Sequence, residues 1–141
     1  MDAEERARRS AEAMWRGDGA SAWFGMTLTH VAEGTATLEL AVEAHHANGH
    51  GICHGGVVFA LADSAFAFAC NSRNVTTVAF QNAITYLAPA RLGDRLSATA
   101  RERSLAGRNG IYDATVTRED GTVIAEFRGH SRALGTQLFE E

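Results

Sequence analysis

Apolar and polar positions follow two rhythms along this chain, divided by one stretch that obeys neither. From Thr35 to Glu43, Ala36, Leu38, Leu40 and Val42 alternate with Thr35, Thr37, Glu39 and Glu43, the two-residue period of a strand with one buried face. A first strand runs from Met26 to the turn at Glu33-Gly34, so two strands joined tightly are predicted here. After Asn74 the chain is strand-like to its end, over 76–87, 94–105, 109–118 and 122–134. Turns are signalled at Arg91-Leu92-Gly93-Asp94, Ala106-Gly107-Arg108-Asn109-Gly110 and Glu119-Asp120-Gly121-Thr122, and the only proline, Pro89, closes the first of these strands. Between the two strand regions lies an almost unbroken apolar run from Val57 to Cys70, interrupted only by Asp63-Ser64. It is too long for a typical strand and reads as a helix covered almost all round, with a stop at Asn71-Ser72-Arg73-Asn74. Residues 2–16 mix acids, arginines and alanines ahead of Gly17-Asp18-Gly19, as suits a short surface helix serving as a lid or packing arm.

The predicted order is helix, two strands, one long buried helix and four strands. With no second helix layer, this argues for an α+β domain spanning 1–141 whose antiparallel sheet curls about the long helix. Its 141 residues, 45% of them hydrophobic, suit one globular domain. The charge of -4 and the lack of a long like-charged run favour neither nucleic acid nor a membrane surface as partner. All 13 basic residues are arginine, which removes Schiff-base and phosphate-loop lysine chemistry. Two cysteines and an opening Met1-Asp2-Ala3-Glu4-Glu5-Arg6 without an apolar core make a reducing, cytoplasmic location the expectation. The 57–70 run is too short to span a bilayer.

Asp63 is the costly residue. A carboxylate inside an apolar helix loses hydration, which raises its pKa and strengthens it as a base or nucleophile near neutral pH. At 3.6 residues per turn it shares a face with Phe59, Ala60, Phe66 and Ala67. The structural alternative is an acid satisfied by a neighbouring strand or by a subunit contact. Gly55-Gly56 stand directly before the helix, where unhindered first-turn amides can polarise a carbonyl or simply permit a tight bend. His54 can orient a carbonyl or hold the loop, and Asn48 can donate its amide to a substrate or position water. The cluster His45, His46, His50, Cys53 and His54 lacks a paired ligand spacing, so no metal is expected. Cys70 sits in the apolar helix, where a thiol is inert, and Cys53 beside His54 lacks an orienting third group. Gln81-Asn82, polar within an apolar strand, lines a pocket or crosses a subunit edge, and its role stays open. Arg101 and Arg103, with Arg95 and Arg108 near in sequence, form either a phosphate-binding strip or a solvated face, the latter favoured.

The segment His46-Ala47-Asn48-Gly49-His50-Gly51-Ile52-Cys53-His54-Gly55-Gly56, followed by Leu61-Ala62-Asp63-Ser64-Ala65-Phe66-Ala67 and Asn82-Ala83-Ile84-Thr85-Tyr86-Leu87, resembles the hotdog-fold thioesterases of the phenylacetate-degradation (PaaI) type. The resemblance implies a curved antiparallel sheet of five to six strands wrapped around one long central helix, in a homodimer that assembles into a homotetramer. It assigns water activation or direct attack on the thioester carbonyl to Asp63, and polarisation of that carbonyl to the Gly55 amide. Asn48 and His54 correspond to the family's loop residues, with sites shared between protomers. It implies coenzyme A thioesters as substrates, often of phenylacetyl or hydroxylated aromatic acids, with Gly56, Phe59 and Phe66 beside the acyl group. No cofactor is expected beyond the coenzyme A that the substrate carries. The expected function is therefore acyl-CoA hydrolysis; the alternatives are a hydratase or dehydratase on the same fold, and a non-catalytic acyl-CoA-binding domain.

Overall fold

In the computed structural model, which describes residues 1–141, every alternating stretch joins one antiparallel sheet. The strands are β1 (Thr27–Ala32), β2 (Thr35–Ala41), β3 (Thr77–Tyr86), β4 (Arg95–Ala106), β5 (Asn109–Arg118) and β6 (Val123–Ala133), and they lie in the order β1-β2-β4-β5-β6-β3. The expected bounds agree with these to within one residue at every end after Asn74. Helix α3 (Gly55–Cys70) carries the chain from β2 across the sheet to β3 at the opposite edge. This is the wrapped helix that the apolar run predicts.

Small side chains explain how closely the two layers meet. Ala36, Ala98, Ala100 and Ala114 on the sheet and Ala62, Ala65 and Ala69 on α3 are wholly buried, so the helix nests against the backbone of the strands. Leu38, Leu40, Leu61, Leu96 and Val116 fill the space around them. Phe66 packs between Tyr112 (ring centroids 5.6 Å apart) and Phe127 (5.8 Å). A Cβ at Gly129 would stand 2.7 Å from the Phe66 ring, so only glycine lets β6 pass over it.

Three features depart from the sequence expectation. First, α1 (Ala3–Gly17) is followed by a second short helix, α2 (Gly19–Phe24). Gly17-Asp18-Gly19 does end α1, but Asp18 also caps α2 by accepting from the Ser21 amide (2.9 Å) and hydroxyl (2.7 Å). Second, Gly55 and Gly56 are the first two residues of α3 rather than a lead-in to it, and His54 is the N-cap. Third, α3 is not covered all round. Gly56, Phe59, Ala60, Asp63, Ser64 and Ala67 are exposed or half-buried and recur at helical spacing, so one stripe of the helix stays open. The N-terminal segment is a packing arm: Ala7 and Ala11 are buried, Trp15 lies 5.9 Å from Phe68, and Arg6 ties α1 to Glu141.

Candidate active site

The loop between β2 and α3 is held by its own polar side chains. His46 is buried; its Nδ1 accepts from the Glu43 amide (3.0 Å) and its Nε2 donates to the Phe24 carbonyl (2.8 Å). Both nitrogens of this member of the histidine cluster are therefore engaged in structure. Asn48 Oδ1 accepts from the amides of His50 (2.9 Å) and Ile52 (3.3 Å), which closes the turn at Gly49-His50-Gly51. Its Nδ2 has no protein acceptor, and Asn48 borders a cleft of about 350 Å³ lined by Cys53, Gly55, Val58, Tyr86 and Ile124 among others.

His54 begins the helix by accepting the Gly56 N-H on Nδ1 (2.8 Å), which leaves the ring proton on an exposed Nε2. The Val57 and Val58 amides turn back to the His54 carbonyl. Of the first four N-H groups of α3, only that of Gly55 has no protein acceptor, and it stands at the positive end of the helix. Tyr86, near the end of β3, donates its hydroxyl to the Gly55 carbonyl (2.8 Å). A Cβ at residue 55 would meet the Tyr86 ring at 3.1 Å, so the glycine also leaves room for this contact.

Asp63 lies two turns further along the open stripe, half-buried. Burial pushes its carboxyl above the ordinary aspartate range, and a hydrogen bond from Asn82 Nδ2 to Oδ1 (3.0 Å) opposes that rise in part. No arginine, histidine or backbone amide contacts it. The neighbouring hydroxyls of Ser64 and Ser21 are 2.9 Å apart and join α3 to α2.

The other expected residues divide clearly. Phe59 borders the open stripe and meets Phe127 edge-on at 5.5 Å. Phe66, expected beside an acyl group, is 1% exposed and belongs to the core: at mid-helix, one step of 100° separates an open position from a buried one. Cys53 and Cys70 are buried thiols, pushed up to about 11 and about 12 by desolvation, and so are poor nucleophiles. Arg103 and Arg128 both pair with Asp113 on the outer sheet face, and Arg101 is exposed there. Missed by sequence reasoning were Tyr86 on Gly55 and the assignment of Asn82 to Asp63. The only sequence signal for the latter was a polar pair in an apolar strand.

A six-stranded antiparallel sheet wrapped about one central helix defines the hotdog fold, here with an unpartnered amide at the helix start and a desolvated acid at its middle. The thioesterase superfamily profile matches residues 50–125. Over 136 residues the chain is 38% identical to the acyl-coenzyme A thioesterase PaaI of Escherichia coli K12, covering 96% of this chain and 97% of that one. The solved structure of the E. coli PaaI protein from the phenylacetic acid degradation operon superposes with a TM-score of 0.94 at 37% identity, covering 96% and 99% of the two chains. Human acyl-coenzyme A thioesterase 13 is 33% identical over 113 residues, 78% of this chain and 80% of its own. The chain belongs to the thioesterase superfamily, in its PaaI branch, and is a hydrolase of thioester bonds.

Proposed function

We propose that this protein hydrolyses coenzyme A thioesters of aromatic acids of the phenylacetyl type, with Asp63 as the base or nucleophile and the Gly55 amide as the carbonyl's electrophilic partner. The observation that carries this reading is the lone, desolvated Asp63 on the one open stripe of α3. The chemistry and operon of the E. coli relative support the substrate class. So does Phe59, an aromatic ring at the border of that stripe.

In this mechanism the thioester oxygen accepts from Gly55 N-H, and the Asn48 amide and His54 Nε2-H flank it at the mouth of the cleft. Asp63 takes a proton from water as the water oxygen bonds to the carbonyl carbon. The tetrahedral adduct collapses, the C-S bond breaks, and the departing thiolate takes the proton from Asp63. In the covalent variant Asp63 attacks first, thiolate leaves, and water then cleaves the acyl anhydride. One oxyanion donor supplies about 2.7–4 kcal/mol and base catalysis on the order of 100- to 10000-fold. No step uses a metal, so a chelator leaves the rate unchanged.

Gly55 and Asp63 are eight residues apart on one helix, about 12 Å at 1.5 Å per residue, too far to act on one carbonyl. The site is therefore shared between two copies, the helix start of one facing the acid of the other. The open stripe of α3 and the free edge of β3, with Phe80 and Val78 exposed, support this pairing. Pairing of two such dimers gives the proposed homotetramer. Two free thiols suit a reducing, cytoplasmic compartment.

The test is thiol release from phenylacetyl-CoA and from a short aliphatic acyl-CoA. Wild type releases thiol, faster with the aromatic substrate, and Asp63→Asn loses at least about 1000-fold in kcat while it still binds substrate. No release from any acyl-CoA, or near-normal turnover by Asp63→Asn, overturns the proposal.

A further inference from the structure

Asn82 owes its position to an irregularity in β3. Ala79 pairs with Ser131, which is buried and faces inward on β6, but the next pair is Gln81 with His130, and Asn82 then opposes Gly129. The register slips between Ala79 and Gln81, so Phe80 and Gln81 both stay exposed and Asn82 turns toward α3. Without that bulge, strict alternation from Ala79 would aim Gln81 at the helix instead. Bulges beside active sites commonly re-aim one side chain in this way.

The side chain so aimed is asymmetrically used. Asn82 Nδ2 donates to Asp63 Oδ1 at 3.0 Å, while Asn82 Oδ1 is shielded from solvent and has no partner. A buried amide oxygen without a donor is uncommon and asks for an explanation. Four residues on, Tyr86 of the same strand holds Gly55. One strand thus contacts both the start of α3, at Gly55, and its middle, at Asp63.

We propose that Asn82 is the positioning residue for Asp63 and serves it in both of its protonation states. With Asp63 ionised, Nδ2 donates to Oδ1 and leaves Oδ2 as the reacting oxygen. When Oδ2 has taken the water proton, half-turns of the carboxyl and of the amide together bring that O-H onto the unpartnered amide oxygen, since the two ends of an amide are nearly the same size. A permanent donor such as arginine would hold only the carboxylate. This inference rests on the assignment of Asp63 as base or nucleophile.

The surroundings leave Asn82 as the polar group through which this control acts. On α3 the other titratable groups are His54 at the far helix start and Cys70, a neutral buried thiol that feels Asp63. On β3 Tyr86 is engaged with Gly55. On β5 Tyr112 lies behind Phe66, and on β6 the inward positions are Phe127, Gly129 and Ser131. The inward positions of β2 and β4 that meet α3 are Ala36, Leu38, Leu40, Leu96, Ala98 and Ala100, and on α2 Asp18 is taken up by Ser21.

The experiment measures kcat and KM against pH for wild type, Asp63→Asn, Asn82→Ala and Asn82→Asp with phenylacetyl-CoA. Asn82→Ala is expected to lower kcat about 10- to 100-fold with KM changed less than about threefold, and to move the acidic limb of the kcat profile upward. Asn82→Asp, with two carboxylates sharing one proton, is expected to move that limb upward by more than one pH unit. Both variants are checked for native circular dichroism, and Asn82→Asp keeps the volume of the side chain should the alanine variant fail to fold. A folded variant with an unmoved acidic limb and unchanged kcat overturns the role of Asn82. Near-normal turnover by Asp63→Asn instead overturns the function on which it rests.

Discussion

At the scale of single residues, the desolvation that suits Asp63 to its proposed role also costs stability. Its carboxyl is raised in the folded state, so between the unfolded value of 3.8 and the folded one the native protein holds the extra proton. The stability this group contributes is complete below pH 3.8 and is lost as pH rises through the folded value. Asp63→Asn is therefore expected to melt above wild type at pH 7, with the difference vanishing below pH 3.8; calorimetry at both pH values checks it. A lower melting point for the variant at pH 7 would show that the acid has a stabilising partner. Gly55 makes a separate residue-level claim. Proline removes its N-H, yet position N1 tolerates proline, and His54 already has φ -59° and ψ 135°, which suits a residue before proline. Gly55→Pro should fold and lose about 100- to 1000-fold in kcat, while Gly55→Ala, which meets Tyr86 equally but keeps the N-H, should lose far less.

At the scale of elements, the joint between α3 and β3 decides where both ends of the site stand. Asn71, buried at the end of the helix, donates Nδ2 to the carbonyls of Ala67 (2.9 Å) and Thr77 (3.0 Å) and accepts from the Thr77 amide (2.8 Å). Asn71→Ala leaves buried groups of both elements unpaired and is expected to cost about 2 kcal/mol in a urea titration. The type and order of nearly all elements were legible in the sequence because the two periods are strong: Ala36 to Val42 alternates cleanly, and 57–70 is long and apolar. Helix α2 was not legible, because Asp18 is both the end of one helix and the cap of the next. Asp63 and Gly55 stand out by cost and position, whereas Asn48 and His54, unspecific by themselves, take their candidate roles from the family resemblance. That Asn82 rather than Gln81 faces Asp63 could not, because a bulge at Phe80 reverses the alternation and leaves no mark in residue type. Phe66 was misplaced for a related reason: helical spacing tells which residues are neighbours but not which side of the stripe the sheet covers.

At the scale of the whole molecule, an antiparallel sheet with one helix seated in its curve has one layer too few to hide everything it presents. The sheet covers most of α3 and leaves the stripe that carries Asp63, while β3 ends the sheet with its outer backbone groups unpaired. A second copy placed two-fold against this edge would meet the same surface on itself. The 12 Å between Gly55 and Asp63 then has a genetic consequence. With the site shared as proposed, two disabled chains, Gly55→Pro and Asp63→Asn, should rescue each other when unfolded together and refolded, because a mixed dimer would retain one site with its amide from one chain and its acid from the other. Random assortment makes half the dimers mixed and half of their sites whole, about one quarter of wild-type turnover. A rate equal to the sum of the two separate variants would mean that each site is built within one chain. In a cell that carries two alleles of this gene, a pair of loss-of-function mutations would complement when they fall at opposite ends of the same short piece of helix.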